Sequence, residues 1–351
     1  MALAAATGPH QLVVQTSFLG DTVLTTPLIA ELARRGPVDV VVTPASAPLL
    51  ARNPDIHELF VYDKRGADAG LRGFRRLAQR VRAPDAREGA PPAVAYLAQR
   101  SMRSGALALA AGYTRRVGFE ESAGQTLYTT RVPYREDRHH AERLWRLAFP
   151  DASDRERDAA PPMRPKLFPG DADRAAVDAL LGTSDRRPLL ALAPGSVWAT
   201  KRWPYYGLLA QKLAARFRIA VIGGPDDRSE AASIAEFSSA QGVVDGTASL
   251  SLLASAELIG RANLMVTNDS APQHLASAMG TPTITIFGPT VEDFGFGPLA
   301  PHSISLGLDA LACRPCHHHG PPRCPLGHWR CMRELEVDAV ASAVDEVLGA
   351  C

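Results

Sequence analysis

The chain is 351 residues long, 46% hydrophobic and 21% charged, ordinary values for a globular protein and length enough for two domains of roughly 150 residues each. Its 38 basic residues face 37 acidic ones, so a chain-wide basic field for nucleic acid is excluded, as are collagen-like, disordered and small disulfide-scaffold classes. No run approaches the roughly 18 apolar residues of a membrane span, and the opening MALAAATGPH has neither the basic start nor the sustained apolar core of a signal peptide.

LVVQ at 12–15 reads as a short buried strand, followed by TSFLGD and a helical pattern that puts Val23, Leu24, Leu28, Ile29 and Leu32 on one side. Pro27 lies inside that pattern and should kink or shorten the helix. Residues 38–42 and 59–62 read as further buried strands. Strands alternating with helices predict a parallel sheet with right-handed crossovers. From Lys64 to Arg116 twelve Lys or Arg stand against three acids, either a solvated helix face or a basic surface for an anionic acceptor or a membrane face. Residues 151–170 hold four prolines and a dense charge cluster and read as a linker. The alternation then restarts, with strands at 189–193, 219–222, 264–267 and 283–287. Helices are expected at 206–217, 250–260, 273–279 and 334–348. The fold class is α/β, with two doubly wound parallel sheets.

In such sheets ligands bind outside the carboxyl ends of the strands, and four of those loops carry unusual residues. In TSFLGD, Gly20 permits a tight turn. Asp21 suits a base better than a phosphate cradle, or else it caps the helix. No GxGxxG is present, which disfavours a nicotinamide-dependent dehydrogenase. In APGSVWATKRWP (193–204), Gly195 and Ser196 follow a strand, and Lys201 is one of only four lysines in the chain. The loop lacks the Lys-Ser/Thr pair of a Walker A motif, yet an ammonium near a glycine turn suits a nucleotide diphosphate. VIGGPDD (221–227) ends a strand in paired glycines, with acids that accept from ribose hydroxyls or cap a helix. VTNDSAPQHLASAMGTPTITIFGPT (266–290) is the most specific stretch. Asp269, Ser270, His274 and a helix beginning near Pro272 converge there on one spot.

LVVQTSFLGDTVLTTPLIAEL, LAPGSVWATKRWP and NDSAPQHLASAMGTPTITIFGPT together resemble the bacterial ADP-heptose lipopolysaccharide heptosyltransferases of glycosyltransferase family 9. QRSMRSGALALAAGYTRRVGF and CRPCHHHGPPRCPLGHWRCM resemble the heptosyltransferase II subgroup. The similarity runs over about 12–332. It implies the GT-B architecture, two Rossmann-like domains facing across a cleft. An acceptor-binding domain would occupy 1–165 and a nucleotide-sugar-binding domain 166–333, with a last helix in 334–351 packing back toward the first. It also implies an inverting transfer, with no cofactor required for catalysis, of heptose from ADP-heptose to the inner core or lipid A region of lipopolysaccharide. Such an enzyme would be cytoplasmic, peripheral to the inner face of the cytoplasmic membrane, and would take no nucleic acid.

Residue by residue, the resemblance puts Asp21 on the general base and Lys201 on the phosphate-neutralising lysine. Gly20, Ser196, Val197 and Thr200 fall in the donor loops, Val197 offering only its backbone. Asp226 falls on the ribose and Leu250 beside adenine. Asp269, Ser270, Ala271 and His274 fall on the sugar and diphosphate, Ala271 replacing the glycine of many relatives. Arg100, Arg103, Arg115 and Arg116 suit a phosphorylated, anionic acceptor. The alternatives are another GT-B transferase with a different nucleotide sugar or a protein or glycan acceptor, and a non-catalytic nucleotide-sugar-binding module. Cys313, Cys316, Cys324 and Cys331 have the spacing of a structural zinc or iron site, with His317 to His319 and His328 as further ligands, or are free buried thiols or adventitious disulfides after oxidation. Cys351 has no evident partner.

Overall fold

The computed structural model describes residues 8–84, 92–158, 164–183, 185–237 and 242–350. The chain divides into two compact units, Met1–Pro165 and Lys166–Cys351. Residues 159–163 of the proline-rich stretch and Cys351 lie outside the described residues.

The first unit is a parallel sheet of β1 (Gln11–Val14), β2 (Val38–Val42), β3 (Glu58–Val61), β4 (Val94–Leu97), β5 (Arg115–Phe119) and β6 (Thr130–Val132), in the order β3-β2-β1-β4-β5-β6. Every residue of β1, β2 and β4 is buried, which is why β1 and β2 read as apolar runs and not as alternating ones; β4, inside the basic stretch, is not among the expected strands. Leu12, Val14, Val41, Phe60, Leu97 and Leu107 form its core. The helical pattern after β1 breaks at Thr25 into Leu19–Leu24 and Thr26–Ala33, with Pro27 in the first turn of the second piece. A proline costs no hydrogen bond there. The charged start of the expected linker is instead packed structure. Arg146, only 1% exposed, donates to Asp154 at 2.6 Å and Asp158 at 2.7 Å.

The second unit repeats the plan with β7 (Leu189–Ala193), β8 (Arg218–Val221), β9 (Val244–Asp245), β10 (Leu264–Asn268), β11 (Thr283–Ile286) and β12 (Ile304–Leu306), ordered β12-β11-β10-β7-β8-β9. The Val337–Gly349 helix packs within its own unit. Val340, Val344 and Val347 join Leu264, Val266 and Ile284 in the core of the second. Its apolar stripe is satisfied locally.

Both sheets reverse strand order beside their first strand, between β1 and β4 and between β7 and β10. At such a switch point adjacent loops leave in opposite directions and open a crevice at the carboxyl edge. The fold therefore fixes two places for chemistry before any side chain is considered.

Candidate active site

At the second switch point the loop after β7 meets the end of β10. Asn268, fully buried, donates through Nδ2 to the Pro194 carbonyl at 2.7 Å. Its Oδ1 accepts from the Trp203 amide at 3.1 Å and the Tyr206 hydroxyl at 3.2 Å. Burial pushes the Tyr206 hydroxyl well above its ordinary range, so it stays a donor. This clamp sets the next residue, Asp269, against the loop. Lys201 Nζ donates to Asp269 Oδ2 at 2.5 Å, and Thr290 Oγ1 donates to the same oxygen at 2.7 Å. The two charged side chains are 9% and 10% exposed, and burial at that level requires pairing.

Ser270 precedes the Ala271–Met279 helix, which carries Pro272 in its first turn. The Ser270 Oγ is buried and has no hydrogen-bond partner among the described residues. An unsatisfied hydroxyl beside free helix N–H groups is a place for an anion. His274 is buried one turn on, and Ala271 is half-buried at the helix start. The structure thus brings Lys201, Asp269, Ser270, Ala271 and His274 together. Ser196 is buried, its Oγ accepting from the Trp198 amide at 3.3 Å, whereas Val197 is 83% exposed. Asp226 is exposed in a short turn after β8 and Leu250 is half-buried. The neighbouring acid, Asp227, accepts from the Gly224 amide at 2.8 Å. A Cβ on Gly195 would stand 2.3 Å from the Asp227 carboxylate, so that glycine lets the loops after β7 and β8 close on each other.

The cysteine-bearing loop supports this site. Arg314 donates to the carbonyls of Gly288 at 2.6 Å and Thr290 at 3.2 Å. The Thr200 hydroxyl donates to the Pro321 carbonyl at 2.5 Å, which ties the Lys201 loop to the cysteine-bearing one. Gly320, at φ +85°, comes so close that a Cβ would lie 3.1 Å from Lys201 Cε. The expected zinc or iron site is not formed by Cys313, Cys316, Cys324 and Cys331. Among the described residues no group of three or more His, Cys, Asp or Glu side chains could hold a metal ion. Burial and the neighbouring thiols push Cys331 up to about 11. Burial also acts to raise Cys324, but four backbone amides, from Trp329, Leu326, His328 and Gly327, bring it below its usual range.

At the first switch point the loops after β1, β3 and β4 are bound to one another. Lys64 Nζ donates to the Thr16 carbonyl at 2.9 Å, and Gln99 Nε2 donates to Thr16 Oγ1 at 2.8 Å and Ser104 Oγ at 2.7 Å. Gly20 is buried and Asp21 is the third residue of the Leu19–Leu24 helix. The Asp21 carboxylate accepts from Ser17 Oγ at 2.7 Å and the Phe18 amide at 3.2 Å. The capping reading is therefore correct in kind, from the third helical position instead of the cap. His140 Nε2 stands 3.5 Å from the other oxygen, Oδ1. One carboxylate oxygen is held by the helix start, and the other faces His140.

The four arginines assigned to an acceptor separate. Arg103 is exposed at the start of the Met102–Ala110 helix, on the Asp21 edge. Arg100 lies on the same edge, stacked 4.8 Å over the Tyr134 ring. Arg115 and Arg116 open β5 and so lie at the opposite, amino edge of the parallel sheet. Arg115 pairs with Asp151 at 2.5 Å, and Arg116 donates to the carbonyls of Leu127 at 2.6 Å and Tyr113 at 2.5 Å. Both are engaged within the first unit, away from the Asp21 edge. Residues that the motifs did not single out are Asn268 and Thr290, both inside the most specific stretch, and Lys64, Gln99 and His140, which carry no local signal.

A family model for glycosyltransferase family 9 (heptosyltransferase) matches residues 76–326. The chain is 28% identical over 325 residues to lipopolysaccharide heptosyltransferase 1 of Pseudomonas aeruginosa, covering 87% of this chain and 85% of the relative. It is 26% identical over 297 residues to lipopolysaccharide heptosyltransferase 2 of Escherichia coli, covering 81% and 84%. The fold superposes on the structure of E. coli ADP-heptose lps heptosyltransferase II with a TM-score of 0.76, at 22% identity over 97% of this chain and 99% of that one. Fold, switch-point residues and family model agree, and the chain is a glycosyltransferase that belongs to glycosyltransferase family 9, the heptosyltransferase family.

Proposed function

We propose that the chain transfers heptose from ADP-heptose to the inner core of lipopolysaccharide, as a heptosyltransferase II, with inversion at the anomeric carbon. The observation that carries this reading is the buried Lys201–Asp269–Thr290 set at the second switch point, beside the unpartnered Ser270 hydroxyl. Negative charge develops on the diphosphate as the sugar leaves. A preformed ammonium and helix N–H groups are the donors that stabilise it.

Asp21 takes the proton of the acceptor hydroxyl as its oxygen bonds to the anomeric carbon and the bond to the diphosphate breaks, releasing ADP. The hydrogen bonds on Oδ2 from Ser17 and Phe18 leave Oδ1 for that proton. Ser196, the Val197 backbone, Ala271 and His274 line the diphosphate and sugar, Asp226 holds the ribose and Leu250 flanks adenine. Arg100 and Arg103 meet the anionic acceptor. The relatives' names support heptose and lipopolysaccharide, and the QRSMRSGALALAAGYTRRVGF stretch supports the second subgroup. The acceptor is a lipid, so the enzyme works at the cytoplasmic face of the inner membrane. Among the described residues no helix is long and apolar enough to cross it.

The test is a calorimetric screen of ADP-, UDP- and GDP-sugars, then turnover on a truncated core carrying one heptose, with the product's anomeric configuration read by NMR. ADP-heptose should bind and transfer with inversion. Binding of a UDP- or GDP-sugar in its place, or a retained configuration, overturns the reading.

A further inference from the structure

The carboxyl edge of the first sheet carries another feature that catalysis does not use. Leu71 is 74% exposed, Phe18 58% and Met102 49%. Phe18 follows β1. Leu71 opens the Gly70–Arg80 helix after β3, and Met102 opens the Met102–Ala110 helix after β4. The hydrogen bonds of Lys64 and Gln99 to Thr16 tie these three loops together, so the three apolar side chains stand on one edge.

Cations surround them. Arg65, Arg72, Arg75 and Arg103 are exposed and make no ion pair with an acid among the described residues. Burial, Arg65 and Arg103 together hold the Lys64 ammonium below its usual range, so its charged neighbours are of like sign. The acids in these loops are engaged. The Asp63 carboxylate accepts from the amides of Gly66 at 2.9 Å and Ala67 at 3.0 Å, and Asp68 accepts from the Asp63 amide at 3.2 Å. Leu71 and Arg75 lie one turn apart on the exposed side of their helix, away from buried Gly73 and Leu77.

We infer that this edge docks on an anionic bilayer surface, with Leu71, Phe18 and Met102 entering the headgroup region and Arg65, Arg72 and Arg75 on lipid phosphates. Uncompensated cations alone would suit any polyanion. Large apolar side chains held out among them fit a surface that is charged outside and apolar within. The inference deepens the lipid-acceptor reading above, because a protein docked by this edge presents Asp21 to the membrane side.

The test uses the full chain and vesicles of phosphatidylglycerol with phosphatidylcholine, against phosphatidylcholine alone. The chain should sediment with the anionic vesicles at low salt and be released at high salt. The double variant Arg72→Glu/Arg75→Glu should weaken binding about tenfold or more, and Leu71→Ser several-fold at unchanged salt dependence. Both should keep wild-type ADP-heptose affinity by calorimetry and wild-type turnover on a water-soluble, deacylated acceptor. Equal retention on neutral vesicles, no retention on anionic ones, or variants that bind like wild type would overturn the docking. Donor affinity in the same samples separates that failure from a failure of the proposed function.

Discussion

At the carboxyl edge of the second sheet Lys201 donates to Asp269 at 2.5 Å, both side chains being about nine-tenths buried. At the carboxyl edge of the first, Lys64 donates to a backbone carbonyl and its charged neighbours are Arg65 and Arg103. The two sheets share one strand order, so the difference lies in the loops. A buried ammonium is tolerable only beside its counter-charge, and that pairing organises it in advance for a diphosphate. Exposed guanidinium groups such as those of Arg65 and Arg103 need no internal partner, and they leave their charge for something outside the chain. The proposed roles follow this contrast, a small ligand at one edge and a large surface at the other.

Several substitutions break or sharpen this contrast. The largest effect belongs to Asp21→Asn, which removes the proposed base and leaves the second edge intact. Turnover should fall by about 10²–10⁴ while donor affinity by calorimetry stays at the wild-type value, and full turnover would remove Asp21 from the role. Next comes the pair. Asp269→Ala strands the Lys201 ammonium and should cost about 3–5 kcal/mol in denaturant unfolding. Lys201→Ala should weaken ADP-heptose binding by the roughly 1.5–3 kcal/mol of a charged hydrogen bond. The double variant should be more stable than Asp269→Ala alone, and additivity of the two stability losses would mean the pair is not coupled. The smallest effect distinguishes the arginines. Arg103→Ala should raise the acceptor KM several-fold. Arg116→Ala should leave KM unchanged and lower stability by about 1 kcal/mol, the worth of its bonds to the Leu127 and Tyr113 carbonyls.

The central strands β1, β2, β7, β8, β10 and β11 are legible in sequence because each is short, apolar and buried on both faces. β4 carries the same signal in four residues, Val94–Leu97, but sits inside the basic stretch and is not among the expected strands; elsewhere the signal is weaker. β5 begins with Arg115 and Arg116 and reads only as part of a basic stretch, and β9 is two residues long. The proposed donor residues are easy to pick out in sequence because Asp269, Ser270, Ala271 and His274 lie within six residues, on one strand end and one helix start. The acceptor side is not. Arg115 and Arg116 stand close to Arg103 in sequence, yet the Met102–Ala110 helix between them carries the chain back to the opposite edge.

The sequence by itself determined two doubly wound sheets and the positions proposed for the base and the phosphate lysine, since those follow from local periodicity and from residue types at strand ends. Only the tertiary structure decided that Asn268 clamps the Pro194 loop, that Thr290 shares Asp269 with Lys201, and that Lys64 and Gln99 meet on Thr16. It also decided that the cysteine-bearing loop braces the donor loop without forming a metal set among the described residues. The physical reason is strand order. Neighbours at a switch point are distant in the chain, so their contacts exist only once the sheet has closed around them.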